Sequence, residues 1–157
     1  FINTLGAFCD VDSEDRGIGE AIAESLLVMS QLTVPFIAIF IGEGGSGGAL
    51  ALAMGNEVWM LENTMYSVLS PEGFASILWK DSSRSDEAAK VMKLTPDDLF
   101  SLDVIDKIVM ETRRKVARKS DDVMLELKRE LSAKLKELKQ LTPAELVEQR
   151  QKRFRNY

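Results

Sequence analysis

Apolar and polar residues follow one another along this chain in blocks that predict alternating strands and helices. Residues 1–4 have a strand-like pattern with no turn or cap before them, so we expect the chain to start inside a domain. Ser13 and the acids after it predict an N-cap and a helix over residues 13–32, with apolar residues at helical spacing. Residues 34–41 are continuously apolar and short, which predicts a strand buried on both faces of a parallel sheet.

The same alternation continues after a glycine-rich segment. Residues 49–54 predict a short helix that is apolar on every side and therefore central, and residues 58–61 predict the next strand. Ser70 before Pro71 predicts an N-cap and a helix to Trp79. Further helix starts are predicted at Ser85 and Thr95, and a strand over residues 104–109. Regular alternation of this kind is typical of an α/β fold.

The last quarter of the chain has a different composition, rich in Leu, Lys and Glu. One face of a predicted long helix carries a leucine stripe made up of Leu127, Leu131, Leu135 and Leu138. Thr142 and Glu145 form a capping-box pattern that starts another helix. We expect residues 1–119 to form the main domain and residues 120–157 a helical extension of it, packed against that domain or a partner.

Bulk properties limit the function classes. The 157 residues are 45% hydrophobic and 29% charged, which is typical of one soluble globular domain or slightly more. No apolar run approaches the roughly 20 residues that span a bilayer, so we expect a cytoplasmic protein. The net charge of -5 argues against a nucleic-acid partner. One cysteine and no histidine argue against a zinc set or metal catalysis by this chain.

The segment Gly42-Glu43-Gly44-Gly45-Ser46-Gly47-Gly48 contains more glycines than one tight turn needs. It formally fits a dinucleotide fingerprint with Glu62 as the ribose acid, but the following helix is too short. It also fits a nucleophile elbow around Ser46, which would need a histidine from a partner or from the missing N-terminal part. A P-loop is excluded because no Lys-Ser or Lys-Thr follows. The remaining hypothesis is an oxyanion hole made of backbone N–H groups.

The glycine segment, extended to Leu50, resembles the signature of the acetyl-CoA carboxylase carboxyltransferase alpha-subunit family. So does the segment from Tyr66 to Gly73 with its continuation Ile77-Leu78-Trp79-Lys80, and the similarity continues to the end of the chain. The resemblance implies a crotonase-like fold of ββα units around a central helix, with residues 1–119 as the carboxyltransferase domain and its N-terminal part missing. It also implies an α2β2 assembly with the active site between an alpha and a beta subunit.

By the same resemblance, the backbone at Gly47 and Gly48 forms the oxyanion hole for the ureido oxygen of biotin, and Gly44 and Gly45 shape the approach. Glu72 and Gly73, in the second matching segment, are further candidates for substrate contact. Glu72 also has a simpler explanation, as a first-turn acid favoured by the helix dipole. Ser46 is interpreted as a turn or cap residue, not a nucleophile.

The family's reaction moves a carboxyl group from carboxybiotin, held on a biotin carboxyl carrier protein, to acetyl-CoA, giving malonyl-CoA for fatty acid synthesis. A biotin carboxylase supplies the carboxybiotin. The missing histidine fits this chemistry, because biotin itself can take the acetyl proton while the protein positions the substrates and stabilises charge. The alternatives are a diverged, non-catalytic paralogue that acts as a subunit scaffold, and a crotonase-type hydrolase whose base comes from a partner.

Three stretches depart from the family pattern: residues 3–10, the pair Ile18 and Gly19, and the expected Gly-Gly-Ala-His-like loop. At the last of these the chain has Glu111-Thr112-Arg113-Arg114-Lys115. We expect these changes to alter the geometry of the substrate loops but not the fold. The basic run around them, which continues to Arg118 and Lys119, predicts a solvated loop, with contact to CoA phosphates as the alternative.

Overall fold

The computed structural model describes residues 1–114 and 116–156, and a parallel sheet forms its centre. The sheet has the order β1-β2-β3-β5, and β4 pairs with the far end of β2; every pair is parallel. The strands are β1 (Ile2–Thr4), β2 (Ile37–Gly45), β3 (Glu57–Leu61), β4 (Met65–Ser67) and β5 (Lys107–Val109). The α/β class is therefore confirmed.

Eight α-helices, a 3₁₀ helix (Ser82–Arg84) and a short antiparallel hairpin complete the described part of the chain. The helices are α1 (Val11–Asp15), α2 (Ile18–Gln31), α3 (Ser46–Leu52), α4 (Pro71–Trp79), α5 (Ser85–Val91), α6 (Pro96–Ser101), α7 (Ser120–Leu138) and α8 (Pro143–Arg155). The hairpin strands are β6 (Thr112–Arg113) and β7 (Val116–Ala117). None of the described helices combines the length and apolar character needed to cross a membrane.

The strand predicted over residues 34–41 has the wrong limits, because β2 starts at Ile37 and runs through the first glycines to Gly45. Backbone pairing keeps these glycines extended: Gly44 lies opposite Thr4 of β1 and opposite Tyr66 of β4. The predicted burial on both faces holds only for the middle of the strand, since Ile41 is 45% exposed. The glycines therefore form the end of a strand and the beginning of a helix, with no separate turn between them.

The single helix predicted over residues 13–32 is wrong, because the structure has two helices, α1 and α2, separated at Gly17. This glycine has φ of 78°, a left-handed conformation that interrupts helical hydrogen bonding. Ser13 is not the N-cap either. Asp10 caps α1 by accepting a hydrogen bond from the Ser13 backbone N–H at 2.8 Å.

The helix predicted over residues 49–54 begins earlier, at Ser46, and is not buried on every side. Ala49 and Ala51 are buried, but Leu50 and Leu52 remain 39% and 46% exposed. Packing of α3 against α2 and the sheet covers only one side of the helix. The sequence shows apolar residues all round, which does not distinguish burial from an uncovered apolar face.

Proline-led helix starts are confirmed. Ser70 and Thr95 accept hydrogen bonds from the backbone N–H groups of Gly73 and Asp98, and Thr142 forms the full capping box with Glu145. The helix predicted at Ser85 is present, but the N-cap is Arg84, which makes no capping hydrogen bond with its side chain. The strand predicted over residues 104–109 is limited to β5, and neither β4 nor the β6–β7 hairpin was predicted.

Alternate residues of β2 and β3 are buried on opposite faces of the sheet, as a parallel-sheet strand requires. One face holds a core with Phe40 and Met60 at its centre, packed by α3 and α6. The other face holds Ile39 and Trp59, which pack with Leu127 of α7. The leucine stripe thus faces this chain's own sheet, since Leu127 and Leu138 are buried and Leu131 packs against the same cluster.

Polar side chains attach α8 to the strands. Arg150 is fully buried and donates from Nη1 to Oδ1 of Asn56 at 2.7 Å. The Asn56 amide in turn donates to the backbone oxygen of Leu146 and to the side chain of Gln149. Burial lowers the pKa of Arg150. The C-terminal helix is therefore connected through these hydrogen bonds to the segment that leads into β3.

Candidate functional site

The two segments that carry the family resemblance meet at one cavity of about 340 Å³. One wall is the end of β2 and the first residue of α3, from Glu43 to Ser46, and the other is the segment from Ser67 to Pro71 between β4 and α4. Leu5 and Met65 complete the lining. Pairing of β4 with the glycine end of β2 is what brings the two segments together, and we call this space the glycine cavity.

Other parts of the chain approach Gly44 and Gly45 so closely that neither position has room for a side chain. A Cβ built at Gly44 would lie 2.1 Å from Cε1 of Phe40, whose buried ring packs at 4.5 Å on Tyr66. A Cβ at Gly45 would lie 2.2 Å from the backbone oxygen of Leu5. Both distances are far below van der Waals contact, so packing alone requires glycine at these two positions.

Gly47 and Gly48 follow Ser46 directly but do not line the cavity. A Cβ at Gly47 would lie 3.3 Å from Cγ2 of Ile22 on α2, and one at Gly48 would lie 3.2 Å from the backbone nitrogen of Ala7. These glycines let α3 pack closely against α2 and against the loop after β1. Their N–H groups belong to the first turn of α3, where backbone donors have no acceptor within the helix, and Gly45 provides no side-chain cap.

Ser46 is the only hydroxyl-bearing residue of the glycine segment, and it lines the cavity. It has φ of 58°, a left-handed conformation that is uncommon for a residue with a side chain. A strained serine between a strand and a helix is also the geometry of a nucleophile elbow. The chain contains no histidine, and within the described residues the Ser46 hydroxyl has no hydrogen-bond partner that could act as a base.

Glu72 and Gly73 lie just beyond the cavity wall, in the first turn of α4. Glu72 is exposed, and its position in the first turn is the one that the helix dipole favours for an acid. The Gly73 N–H is occupied, since it donates to the Ser70 hydroxyl at 3.1 Å. Among the described residues, Ser70 and Pro71 therefore approach the cavity more closely than the two residues singled out from the sequence.

Glu62 does not serve as a ribose acid, because its carboxylate holds the β6–β7 hairpin. It accepts hydrogen bonds from the Thr112 hydroxyl at 2.7 Å, the Thr112 N–H at 2.6 Å and the Glu111 N–H at 2.8 Å. The Thr112 hydroxyl is the main reason that the pKa of Glu62 lies below its usual value. The dinucleotide hypothesis therefore loses its acidic residue.

The basic run near residue 115 is divided between structural and exposed side chains. Arg118 donates to the Met110 backbone oxygen at 3.0 Å and pairs with Glu126 of α7, so it fastens the hairpin to that helix. Arg113 and Arg114 are exposed in the hairpin, as predicted for a solvated loop. Lys115 lies outside the described residues. Contact with CoA phosphates stays a prediction.

A second cavity of about 510 Å³ shares the segment Ser67–Leu69 with the glycine cavity. We call it the apolar cavity, because carbon side chains from β4, α4 and α6 dominate its lining. No pattern in the sequence pointed to it, since its residues come from five separate segments. Over residues 1–114 and 116–156, no three His, Cys, Asp or Glu side chains come together in a way that could hold a metal ion.

Comparison with known proteins gives one consistent result. The profile of the family described as acetyl co-enzyme A carboxylase carboxyltransferase-like matches residues 1–157. Proteins named acetyl-coenzyme A carboxylase carboxyl transferase subunit alpha from Streptococcus gordonii and Streptococcus pneumoniae are 55% identical over all 157 residues. The chain spans 60% of the length of these relatives.

Solved structures share the fold at low sequence identity. A Pseudomonas malonate decarboxylase hetero-tetramer in complex with coenzyme A has a TM-score of 0.69 at 21% identity, over 83% of this chain and 52% of that one. Transcarboxylase 12S with methylmalonyl-coenzyme A bound has a TM-score of 0.63 at 20% identity, over 69% of this chain and 23% of that one. A probable enoyl-CoA hydratase from Mycobacterium thermoresistibile has a TM-score of 0.55 at 14% identity, over 94% of this chain and 60% of that one.

These structures have the crotonase fold, which confirms the fold expected from the sequence. At such low identity they establish the fold alone. The assignment of this chain to a family rests on the whole-length profile match and on the close relatives. This chain belongs to the acetyl co-enzyme A carboxylase carboxyltransferase-like family.

Proposed function

We propose that this chain is the major part of a carboxyltransferase alpha subunit, which transfers a carboxyl group from carboxybiotin to acetyl-CoA and forms malonyl-CoA. The main support is that the two segments typical of the family, far apart in sequence, together form the glycine cavity. The close relatives carry the name of this subunit. The setting is the cytoplasm, and the reaction is the first step of fatty acid synthesis.

The glycine cavity fits the ureido ring of biotin by size, and the donors that we assign to the ureido oxygen follow its lining residue Ser46 in the chain. A cavity of about 340 Å³ is within the range of small-molecule sites. A ureido oxygen is a neutral acceptor, and the peptide N–H groups of Gly47 and Gly48 are neutral donors next to this cavity. Biotin, when bound, supplies the ureido nitrogen that carries the carboxyl group.

The residues of this chain position the substrates and stabilise the negative charge that develops on them, and none of these residues needs to gain or lose a proton. The N–H groups of Gly47 and Gly48 donate to the ureido oxygen as its negative charge increases, which lowers the energy of the transition state. Gly44 and Gly45 keep the adjacent wall flat. Glu72 and Gly73 lie just beyond the Ser70–Pro71 wall, and we propose that they contact the part of the substrate that extends outside the cavity. The absence of histidine from the chain is consistent with this division of roles.

The assembly that follows is α2β2, with the acetyl-CoA site shared with a carboxyltransferase beta subunit. The carboxyl donor is the biotin carboxyl carrier protein, which a biotin carboxylase loads. The hetero-tetramer of the malonate decarboxylase with the same fold supports a multi-subunit arrangement. We further propose that residues 1–119 form the carboxyltransferase domain and residues 120–157 its helical extension, consistent with the packing of α7 on the sheet.

The test is to purify the full-length protein with its beta subunit and measure malonyl-CoA formation from acetyl-CoA and carboxybiotin. The proposal predicts turnover by the complex and none by either subunit alone. Assembly of a stable complex without turnover would instead favour the non-catalytic scaffold, which the departures at residues 3–10 and 111–115 suggested.

A further inference from the structure

The apolar cavity has no role in the function proposed above, although it is larger than the glycine cavity. Its main apolar side chains are Tyr66, Leu69, Phe74, Met92, Leu99 and Val104. They come from β4 and the segment after it, from α4 and α6, and from the segments that follow α5 and α6. Its volume of about 510 Å³ is ample for a small organic group.

The polar groups of this wall already bond one another. The Tyr66 N–H donates to the Leu94 backbone oxygen at 3.2 Å. The Ser67 hydroxyl accepts from the Leu69 N–H and donates to the Leu69 backbone oxygen. A polar group placed against these atoms would therefore lose its hydrogen bonds to water without gaining others, which favours CH₂ groups along this wall.

The charged residue at the rim of the apolar cavity also bears on whether a charged or an uncharged alkyl ligand fits. Lys93 lines the cavity, but its ammonium group is paired with Asp98 at 3.2 Å, and its side chain is 58% exposed. The ammonium group already has a partner within the chain, so this lining supplies no unpartnered cation for the carboxylate of a fatty acid. An uncharged alkyl chain fits this rim better than a carboxylate-bearing one.

The position of the cavity indicates which uncharged chain this is. The two cavities share Ser67, Val68 and Leu69, and Val68 is 78% exposed, so solvent reaches the segment between them. A ligand with its polar ring in the glycine cavity can place an alkyl substituent across this segment. We infer that the apolar cavity binds the uncharged alkyl arm by which the ureido ring is attached to its carrier, with Met92 as a contact of the arm.

This inference rests on the proposed function and deepens it, because it separates recognition of the arm from recognition of the ring. Each methylene removed from water contributes about 0.8 kcal/mol, so a few methylenes raise affinity by one to two orders of magnitude. The ring alone should bind weakly, and the arm should supply most of the additional affinity.

The experiment measures binding to the full-length protein with its beta subunit by calorimetry, with two probes. Biocytin contains the ring, the alkyl arm and an amide, whereas 2-imidazolidone is the ureido ring alone. Met92→Trp fills the apolar cavity, and Met92→Ala removes contacts without adding bulk. Val91→Trp is the matched control, because Val91 is the preceding residue, is 51% exposed and does not line the cavity.

We expect Met92→Trp to weaken biocytin binding at least tenfold, Met92→Ala to weaken it severalfold, and both to leave 2-imidazolidone within twofold of the wild type. Val91→Trp should change neither. Suppose that the wild-type complex binds both probes. If the Met92 variants then weaken the binding of both probes equally, or of neither, the apolar cavity does not bind the arm, while the proposed function is unaffected. If wild-type complex binds neither probe, the arm site and the proposed function both fail.

Discussion

The glycines of the site pack closely against neighbouring elements, and we propose that Gly47 also donates its backbone N–H to the ligand. The side of Gly47 on which a Cβ would stand faces Ile22 of α2, not the space for a ureido oxygen. A bulky residue at this position would therefore press first against α2 and not directly against the ligand. Loss of activity on substitution would therefore not by itself identify an oxyanion hole.

A rescue experiment distinguishes the two duties of Gly47. Gly47→Ala should slow malonyl-CoA formation, because the new methyl lies 3.3 Å from Cγ2 of Ile22 and displaces the N–H of the first turn. Ile22→Ala in the same protein removes that contact. If the N–H is a donor to the ligand and only its position was disturbed, the double variant should recover most of the up to 10²-fold loss in kcat.

The matched control for the rescue is Ile22→Ala alone, which should be less stable but should keep its kcat, since Ile22 does not line the cavity. A Gly47→Ala variant with unchanged kcat would mean that Ile22 yields to the new methyl, because alanine keeps the backbone N–H. A double variant that is as slow as Gly47→Ala alone would contradict a displaced donor as the cause of the loss. Thermal unfolding of all variants separates loss of fold from loss of rate.

At the scale of elements, α8 is fixed to the strands by Arg153. Its guanidinium donates to both carboxylate oxygens of Asp106 at 2.8 and 2.6 Å and to the Val104 backbone oxygen at 2.8 Å. Asp106 also accepts from the Val58 N–H of β3. We predict that Arg153→Ala lowers the free energy of unfolding by about 2 kcal/mol, because hydrogen bonds to charged groups with little exposure are lost.

Lys152→Ala is the control for this prediction, one residue earlier on the same helix. Lys152 pairs with Glu148, but both side chains are exposed, at 71% and 61%. Its removal should change the free energy of unfolding by less than about 0.5 kcal/mol. Chemical denaturation measures both, and equal effects would mean that the Arg153 contacts do not hold α8 in place.

The β6–β7 hairpin is held by the Glu62 carboxylate, which makes this element sensitive to acid. Hydrogen bonds from Thr112 lower the pKa of Glu62 below its ordinary 4.5 in the folded protein. A lowered folded pKa means that the stabilisation is complete above pH 4.5 and is lost as the pH falls through the folded value. Glu62→Gln should therefore destabilise the protein at pH 7, and the difference from wild type should shrink below pH 4.5.

Urea unfolding at several pH values tests this, with Glu24→Gln on the exposed side of α2 as the control. The control should leave the pH profile unchanged. A Glu62→Gln deficit that stays constant from pH 7 to the acid limit would show that the carboxylate charge is not what holds the hairpin.

At the scale of the whole molecule, local chemistry was predictable and long-range pairing was not. Ser70, Thr95 and Thr142 were predicted as helix starts because a cap depends on four neighbouring residues. The extension of β2 through Gly45 was missed because it depends on pairing with β1 and with β4, a strand of three residues. The break at Gly17 had a local signal, the glycine itself, which the apolar periodicity obscured.

The same distinction applies to the candidate site. The family resemblance identified both walls of the glycine cavity, but only the fold shows that Ser70 and Pro71 approach it more closely than Glu72 and Gly73. Gly44 and Gly45 must be glycine because Phe40 and Leu5 pack against them, and no local sequence pattern reveals those contacts. The apolar cavity is assembled from distant segments and had no sequence signal.

We propose that this site works through backbone N–H groups and position, with no side-chain nucleophile. The most direct test is the rate of malonyl-CoA formation by the full-length complex carrying Ser46→Ala. Alanine keeps the Cβ at the left-handed φ of 58° and removes only the hydroxyl. We predict that the rate stays within about threefold of the wild type, because Ser46 forms no covalent bond with the substrate. A fall of roughly 10⁴-fold or more, in a complex that is folded and assembled, would indicate a serine nucleophile and contradict the account.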